Sequence, residues 1–405
     1  MSELTTSDSP TLADHSTLHE VVETLAPLEK RAGSPDEHRA ADWIAARLTR
    51  AGAPARIDEE QFLDGYAREL LPLGAAGALA GGLALTGRGR RVATAVAGLA
   101  AMAIADDASN GTRLWRKALG RKRTTWNVVA EAGDTGADRT LVLLAHHDAA
   151  PTGRVFDPSL QRSLAERFPG IVERMDTSLP LWWPVVGGPA LVALGAASRR
   201  RNLTAAGAAL SLLNMAVAAD IARSPIAPGA NDNLSAVAVL VALAERLREQ
   251  PIPGLRVLLV SCGAEEVLQG GIYGFAARHF PVLDRERTWM LTLDSVGSPE
   301  LVLVEGEGTL VMEDYFDRRF RDLIVRAAER AGLPIRRGLR ARSSTDAVIP
   351  SRAGYPTALL CSWDRYKCLS NYHRMSDTPE NLDYDTVARA VAVSHAVGCE
   401  IASAK

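Results

Sequence analysis

Five short segments of this 405-residue chain concentrate the side chains that bind divalent cations. They are AHHDA (His146, Asp148), GANDN (Asp232), GAEE (Glu265, Glu266), LDSVG (Asp294) and NYHRMSDT (His373, Asp377). Imidazole nitrogen and carboxylate oxygen are donors that suit zinc. Two such ions about 3.5 to 4 Å apart need a carboxylate that touches both. Asp232 is suited to that bridge, because Gly229 and Asn231 permit a tight turn that presents it just ahead of a helix. Adjacent glutamates at a strand end can diverge, Glu266 toward a metal and Glu265 toward the metal-bound water whose proton it removes. Asp148 lies two residues beyond His146 on extended chain and so projects to the same side. Its expected role is to accept a hydrogen bond that fixes an imidazole or the bridge. Each motif alone is ordinary polar sequence; the five together predict a two-zinc site that makes hydroxide from water.

Such donors must be held by a framework, and the intervening sequence describes one. A helix is expected from about Thr17 to Arg31. Ser34, with Glu37 three residues on, caps a second helix that runs through AADWIAARLTRAG and stops near Gly52. A strand follows over ARIDEEQF, with its partner only at TTWNVVAEAG. TLVLLAHHD is a strand running into the first donors, and LSAVAVLVALAERLREQ is a helix. GLRVLLVSCGAEE reads as a strand buried on both faces, WMLTLDSVG and YPTALLCSW as further strands, and DTVARAVAVSHAVGCEIA as a closing helix. The alternation predicts an α/β fold, a three-layer α/β/α sandwich around a mixed, mostly parallel sheet. Ligands placed where strands end agree with the way open α/β sheets locate their chemistry.

Two stretches interrupt this unit. LLPLGAAGALAGGLALT and VATAVAGLAAMAIA are uncharged apolar arms joined by GRGRR, and LPLWWPVVGGPALVALGAA and LTAAGAALSLLNMAVAAD are a second pair joined by SRRRN. The expected organisation is a disordered tail over 1–15, a catalytic domain made of 16–65, 123–151 and 225–405, and two apolar helical hairpins at 66–122 and 152–224. Without the hairpins roughly 275 residues remain, the size of one α/β domain. Each arm has about 14 to 19 apolar residues, a little short of the 20 or so that cross a bilayer core. Trp182 and Trp183 stand at the start of the third arm, where an interfacial belt would have them. Membrane association through 70–105 and 180–219 is therefore expected, the alternative being a soluble lid of four Ala-rich helices. Orientation is balanced: Arg88, Arg90, Arg91, Arg199, Arg200 and Arg201 mark the hairpin tips, against Arg113, Arg116, Lys117, Arg121, Lys122 and Arg123 on the catalytic side. The polar, acidic start MSELTTSDSPTLADHS lacks a signal peptide's pattern. The catalytic domain is accordingly expected in the cytoplasm, on a membrane or soluble.

Composition narrows the partners. A net charge of -2 and an aromatic content of 5% leave no basic face or stacking platform for nucleic acid. Cys262, Cys361, Cys368 and Cys399 have no CxxC spacing and read as small buried side chains.

On these motifs the chain resembles the double-zinc aminopeptidase family of metallopeptidases, which also contains glutamate carboxypeptidases, glutaminyl cyclases and the transferrin-receptor ectodomain. The resemblance extends over nearly all of the catalytic unit, including RAGSPDEHRAADWIAARLTRAG and SSTDAVIPSRAGYPTALL. It implies that His146 and Asp294 bind one zinc, Glu266 and His373 the other, that Asp232 bridges, and that Glu265 is the general base, with Tyr372 or Ser344 as candidate oxyanion donors. It implies a peptide substrate and hydrolysis at its amino terminus. A carboxypeptidase or amidohydrolase, with Arg342 holding a substrate carboxylate, is the related alternative, and an inactive binding module is the alternative of another class. The chain departs from the family pattern in the 86 positions between His146 and Asp232, filled by the second hairpin, and in SSTDAV near the penultimate strand.

Overall fold

A computed structural model describes residues 15–65 and 67–404. In chain order the elements are α1 (His15–Leu25), α2 (Pro35–Arg50), β1 (Ala55–Asp64), α3 (Ala67–Leu85), α4 (Arg90–Ala108), α5 (Leu114–Leu119), β2 (Arg121–Gly133) and β3 (Thr140–His146). The second hairpin follows with α6 (Ser159–Arg167), α7 (Pro169–Arg174), α8 (Trp183–Ser198) and α9 (Arg201–Ile221). Then come α10 (Ser235–Glu249), β4 (Arg256–Cys262), α11 (Gly270–His279), β5 (Thr288–Leu293), β6 (Glu300–Glu307) and β7 (Glu313–Asp314). The last elements are α12 (Arg318–Arg330), β8 (Arg336–Ala341), α13 (Val348–Arg352), β9 (Thr357–Trp363) and α14 (Tyr384–Ser403).

The strands form one sheet in the order β1-β2-β4-β3-β5-β9-β6-β7, with β8 also paired to β6. Its centre, β4-β3-β5-β9, is parallel, and antiparallel ladders flank it at β1-β2-β4 and β9-β6-β7. Side chains alternate across the pleat. Leu141 and Leu143 of β3 enter the core beneath α1, α2, α10, α12 and α14, whereas Val142 and Leu144 face α11 and Tyr355 on the other side. This is the three-layer α/β/α arrangement expected from the alternation of strand and helix.

Local chemistry explains the boundaries. Ser34 caps α2 by accepting from the Glu37 N–H at 3.1 Å. The Glu37 carboxylate does not close the reciprocal bond to Ser34; it accepts from Gly33 N, Thr125 Oγ1 and Ala264 N, pinning the helix to the sheet. The first helix stops at Leu25 rather than Arg31, because Pro27 disfavours helical backbone at the residue before it. Of the tail expected over 1–15, residues 1–14 lie outside the described residues and His15 opens α1. Two of the cysteines are not the buried side chains expected: Cys368 is half-buried and Cys399 is exposed, one turn beyond His395 on the outer face of α14.

The four arms form one bundle in which α3 contacts α4, α8 and α9, and α8 contacts α4 and α9. β2 starts at Arg121, within the stretch assigned to the first hairpin, and pairs along its length with β1. At the bundle's base the buried Arg116 holds both carboxylate oxygens of Asp107 at 2.8 Å and donates to the carbonyls of Leu63 and Gly65. Pro151 and Ile226 form a bridge that closes the second insertion.

Candidate active site

The carboxyl ends of three adjacent parallel strands supply most of the donors. His146 ends β3 level with Cys262 of β4, and Asp294 directly follows β5. Glu265 and Glu266 follow β4 after Gly263 and Ala264, the latter in the left-handed region at φ 51°. Ser295 (φ 54°) and His373 itself (φ 51°) are also left-handed, conformations that non-glycine residues adopt when the surroundings force them. Gly229, at φ 71°, opens the turn that presents Asp232, as its sequence suggests. Asp377 accepts from the N–H groups of Asn231 (2.8 Å) and Asp232 (3.1 Å) and so fixes that turn.

Asp232 lies between two imidazoles. One carboxylate oxygen is 3.3 Å from His146 Nε2 and the other 3.3 Å from His373 Nε2, which is also 3.2 Å from Glu266. Neither His373 ring nitrogen makes a hydrogen bond, nor does Glu266 Oε1, although all are buried. Zinc with bonds of about 2.0 Å at tetrahedral angles needs donor atoms about 3.3 Å apart. The observed separations match that edge length, and donor atoms of His146, Asp232 and Glu266 all lie within 4.8 Å of one another. The donor set therefore fits zinc. The titration of the cluster points the same way. Burial, against the pull of His373, lifts the Glu266 carboxyl to about 7, and burial with the Asp232 charge lifts Asp294 to about 6. Although burial opposes it, the surrounding carboxylates hold the His373 ring up at about 10. A cation placed among these groups would relieve the carboxylate repulsion that protons otherwise relieve.

Asp148 is fully buried. It accepts from the N–H groups of Glu265 (2.9 Å) and Glu266 (3.1 Å) and lies 3.4 Å from His146 Nδ1. It thus orients one imidazole and both glutamates. Glu265 sits 3.9 Å from His146, and its other oxygen accepts from Gln269 Nε2 at 3.0 Å. Burial, opposed by His146, raises its proton affinity well above the ordinary carboxyl range.

Some neighbours escaped sequence reasoning. Gln269 is held in turn by Asn110, whose amide donates to Gln269 Oε1 (2.9 Å) and to Ser344 Oγ (2.8 Å). Asn110 stands at the end of the first hairpin, so an insertion reaches the second sphere of Glu265. Asp346 is buried with no hydrogen bond to either oxygen; burial, opposed by His146 and reinforced by Asp148, holds it up at about 7. The only sequence signal for these was the SSTDAV segment.

Asp232, Glu265, Glu266, Asp294 and His373 wall one cavity of about 190 Å³. Its apolar walls include Val155, Phe156, Leu179 and Leu181 of the second insertion. Tyr372 stacks on the His373 ring with centroids 3.8 Å apart and also lines the cavity, as do Ser344 and Arg342.

Comparison with known proteins agrees with this geometry. Residues 215–397 match the model of peptidase family M28, and the resemblance carried by the motifs is borne out. No curated protein matches the sequence significantly. Solved structures with the same fold include an aminopeptidase from Aneurinibacillus sp. strain AM-1, at 14% identity and a TM-score of 0.55 over 97% of this chain and 94% of that one. A glutaminyl cyclase from Bacteroides thetaiotaomicron, bound to N-acetylhistamine, has 14% identity and a TM-score of 0.57 over 98% and 99%. BSAP, a zinc aminopeptidase from Bacillus subtilis, has 14% identity and a TM-score of 0.53 over 95% and 93%.

Proposed function

We propose that this chain is a zinc-dependent exopeptidase that removes amino-terminal residues from peptides. One observation carries the reading: Asp232 turns one oxygen to His146 and the other to His373, while Glu265 walls the same cavity. In this reading His146, Asp232, Glu266, Asp294 and His373 would hold the zinc, His146 and Asp294 on one side of Asp232 and Glu266 and His373 on the other. Zinc bound there would supply a Lewis acid that polarises the scissile carbonyl and lowers the pKa of a water. Glu265 removes a proton from the attacking water and delivers it to the leaving amine. The water oxygen joins the carbonyl carbon, the carbon–nitrogen bond breaks, and the amine departs with the proton Glu265 carried. Asp148 keeps His146 and the two glutamates in register, and Gln269 fixes the orientation of the base. Val155, Phe156, Leu179 and Leu181 form the wall that would take an apolar side chain.

Two related reactions have observations in their favour. Arg342 lines the cavity and could hold a terminal carboxylate, as a carboxypeptidase requires, and solved structures of the same fold include glutaminyl cyclases. A single experiment separates all three: mass spectrometry of a defined peptide mixture, including peptides that begin with Gln, after treatment with wild type and Glu265→Gln. Stepwise loss from the amino terminus by wild type, a fall of about 10² to 10⁴-fold in the variant, and zinc retained in both is the expected result. Carboxyl-terminal trimming, or loss of ammonia from the Gln peptides alone, would replace the aminopeptidase assignment.

A further inference from the structure

The helical bundle has its side chains arranged in the reverse of a water-soluble one. Its interior is small: Ala80, Ala84, Ala93, Ala97, Val192 and Ala196 form the buried cluster. The helices touch backbone to backbone, so that a Cβ on Gly207 would stand 2.5 Å from Val192 N and 2.7 Å from the Gly188 carbonyl. The large side chains point outward: Leu79, Leu99, Met102, Leu194, Leu212 and Leu213 are 57% to 75% exposed. A helix bundle stable in water turns leucine inward and charge outward. Small residues at the contacts with large apolar ones outside is how helices pack in lipid.

Charge is confined to the two ends of the bundle. No Asp, Glu, Lys or Arg occurs over 70–87, 92–105, 181–198 or 202–219. Arginines gather at one end, where Arg90 donates to the Ala196 carbonyl and Arg201 to the Leu85 carbonyl, tying the two hairpin tips together. Arg68, Glu69, Asp106, Asp107 and Asp220 lie at the other, beside the catalytic unit. At 1.5 Å per residue, the 19 residues of α3 and of α4 and the 21 of α9 extend about 28 to 31 Å, against a hydrocarbon core of about 30 Å. By length and hydropathy together α9 alone qualifies as a span among the described residues; α8 is apolar but has 16 residues, and α3 and α4 include charged residues at their ends. The outward faces carry the leucines.

The base of the bundle is also the rim of the active site. Leu179 and Leu181 wall the cavity, and the chain runs from them into Trp182 and Trp183, where α8 begins. The Arg342 guanidinium, itself part of the cavity wall, lies over the Trp183 ring at 5.3 Å. Beside them, α6 and α7 expose Leu160, Leu164 and Ile171. A Trp-marked base puts this rim at the membrane–water boundary.

We propose that the four arms span a lipid bilayer as a single bundle, and that the active site faces its surface to take the free amino end of a peptide whose remainder is held in or on that bilayer. The choice of substrate rests on the exopeptidase reading; the anchor does not. Full-length protein is added to phosphatidylcholine–phosphatidylglycerol vesicles, floated on a density gradient and washed with alkaline carbonate. The protein is expected to float and to survive the wash. Recovery in the supernatant without detergent would overturn the anchor. Replacing Leu79, Leu99, Leu194 and Leu213 by lysine places charge only on outward positions; loss of flotation is expected, and flotation equal to wild type would overturn the anchor. If that variant fails to fold in detergent-free buffer, the carbonate wash of wild type still decides. For the substrate, wild type in vesicles is given one peptide sequence with and without a carboxyl-terminal palmitoyl-lysine. Confinement to the surface is expected to speed release of the first residue by about tenfold or more. Equal rates would overturn the substrate assignment. Flotation with neither peptide trimmed would overturn it together with the exopeptidase reading and leave the anchor standing.

Discussion

Glu265 takes its orientation from a relay that crosses the molecule. Gln269 donates to it, Asn110 holds Gln269, and the Tyr273 hydroxyl donates to Asn110 Oδ1 at 3.1 Å. Gln269→Leu removes the donor without touching any of the candidate zinc donors. The expected outcome is a fall in kcat of about 10-fold to 100-fold, the usual range for outer partners of a metal site, with zinc content unchanged by elemental analysis; an unchanged kcat would separate the relay from catalysis. The candidate donors were legible because each lies in a compact polar motif, His146 and Asp294 at strand ends and Asp232 on a turn ahead of a helix. The relay was not, since Asn110 and Gln269 are 159 positions apart and an amide pair carries no spacing signature. Asp377 was visible as part of NYHRMSDT, but only the structure gives its task of holding the Asp232 turn.

At the scale of elements, what proved readable was periodicity. Apolar runs placed β3, β4, β5 and β9, and the long apolar segments placed α10 and α14. Local pattern does not single out β6, β7 and β8: β6 is eight residues between Pro299 and Gly308, and β8, RRGLRA, is cationic and pairs irregularly with β6. Their identity depends on tertiary pairing, which local pattern does not carry. The connection between α1 and α2 has its own fastening. Lys30 is buried and donates to the carbonyls of Leu25, Leu28 and Pro228, joining the first helix to the turn that carries Asp232. Burial, only partly offset by Asp377 and Asp148, lowers its pKa from 10.5 to about 8. Between those two pH values the unfolded chain keeps a proton that the folded chain has lost, so this group makes stability rise with pH, by about 1.4 kcal/mol per pH unit at its steepest. Denaturant titrations of wild type and Lys30→Met across that window are expected to show the rise in wild type only. Parallel curves would mean that the ammonium stays charged throughout.

At the scale of the molecule, the candidate metal site gathers the Asp232 turn and the loop after β9 onto the ends of β3, β4 and β5, strands that the sheet already pairs. Ions bound there stabilise the folded state by mass action, about 2.7 kcal/mol per site at a free zinc concentration one hundred times its Kd. Chelation is therefore expected to lower the thermal unfolding temperature and added zinc to restore it; a transition indifferent to chelator would remove zinc from the account of this fold. The sequence marks two pairs of apolar arms, but not that the four arms close into one bundle whose base frames the cavity, because that contact links 183–198 to 90–108 across the intervening sheet strands. The interleaving also orders events in time. His146 and Asp148 precede the second hairpin, whereas Asp232, Glu265, Glu266, Asp294 and His373 all follow it. A ribosome must deliver both hairpins before it can deliver the remaining candidate donors. The nascent chain thus exposes its apolar helices while the candidate donor set is still incomplete.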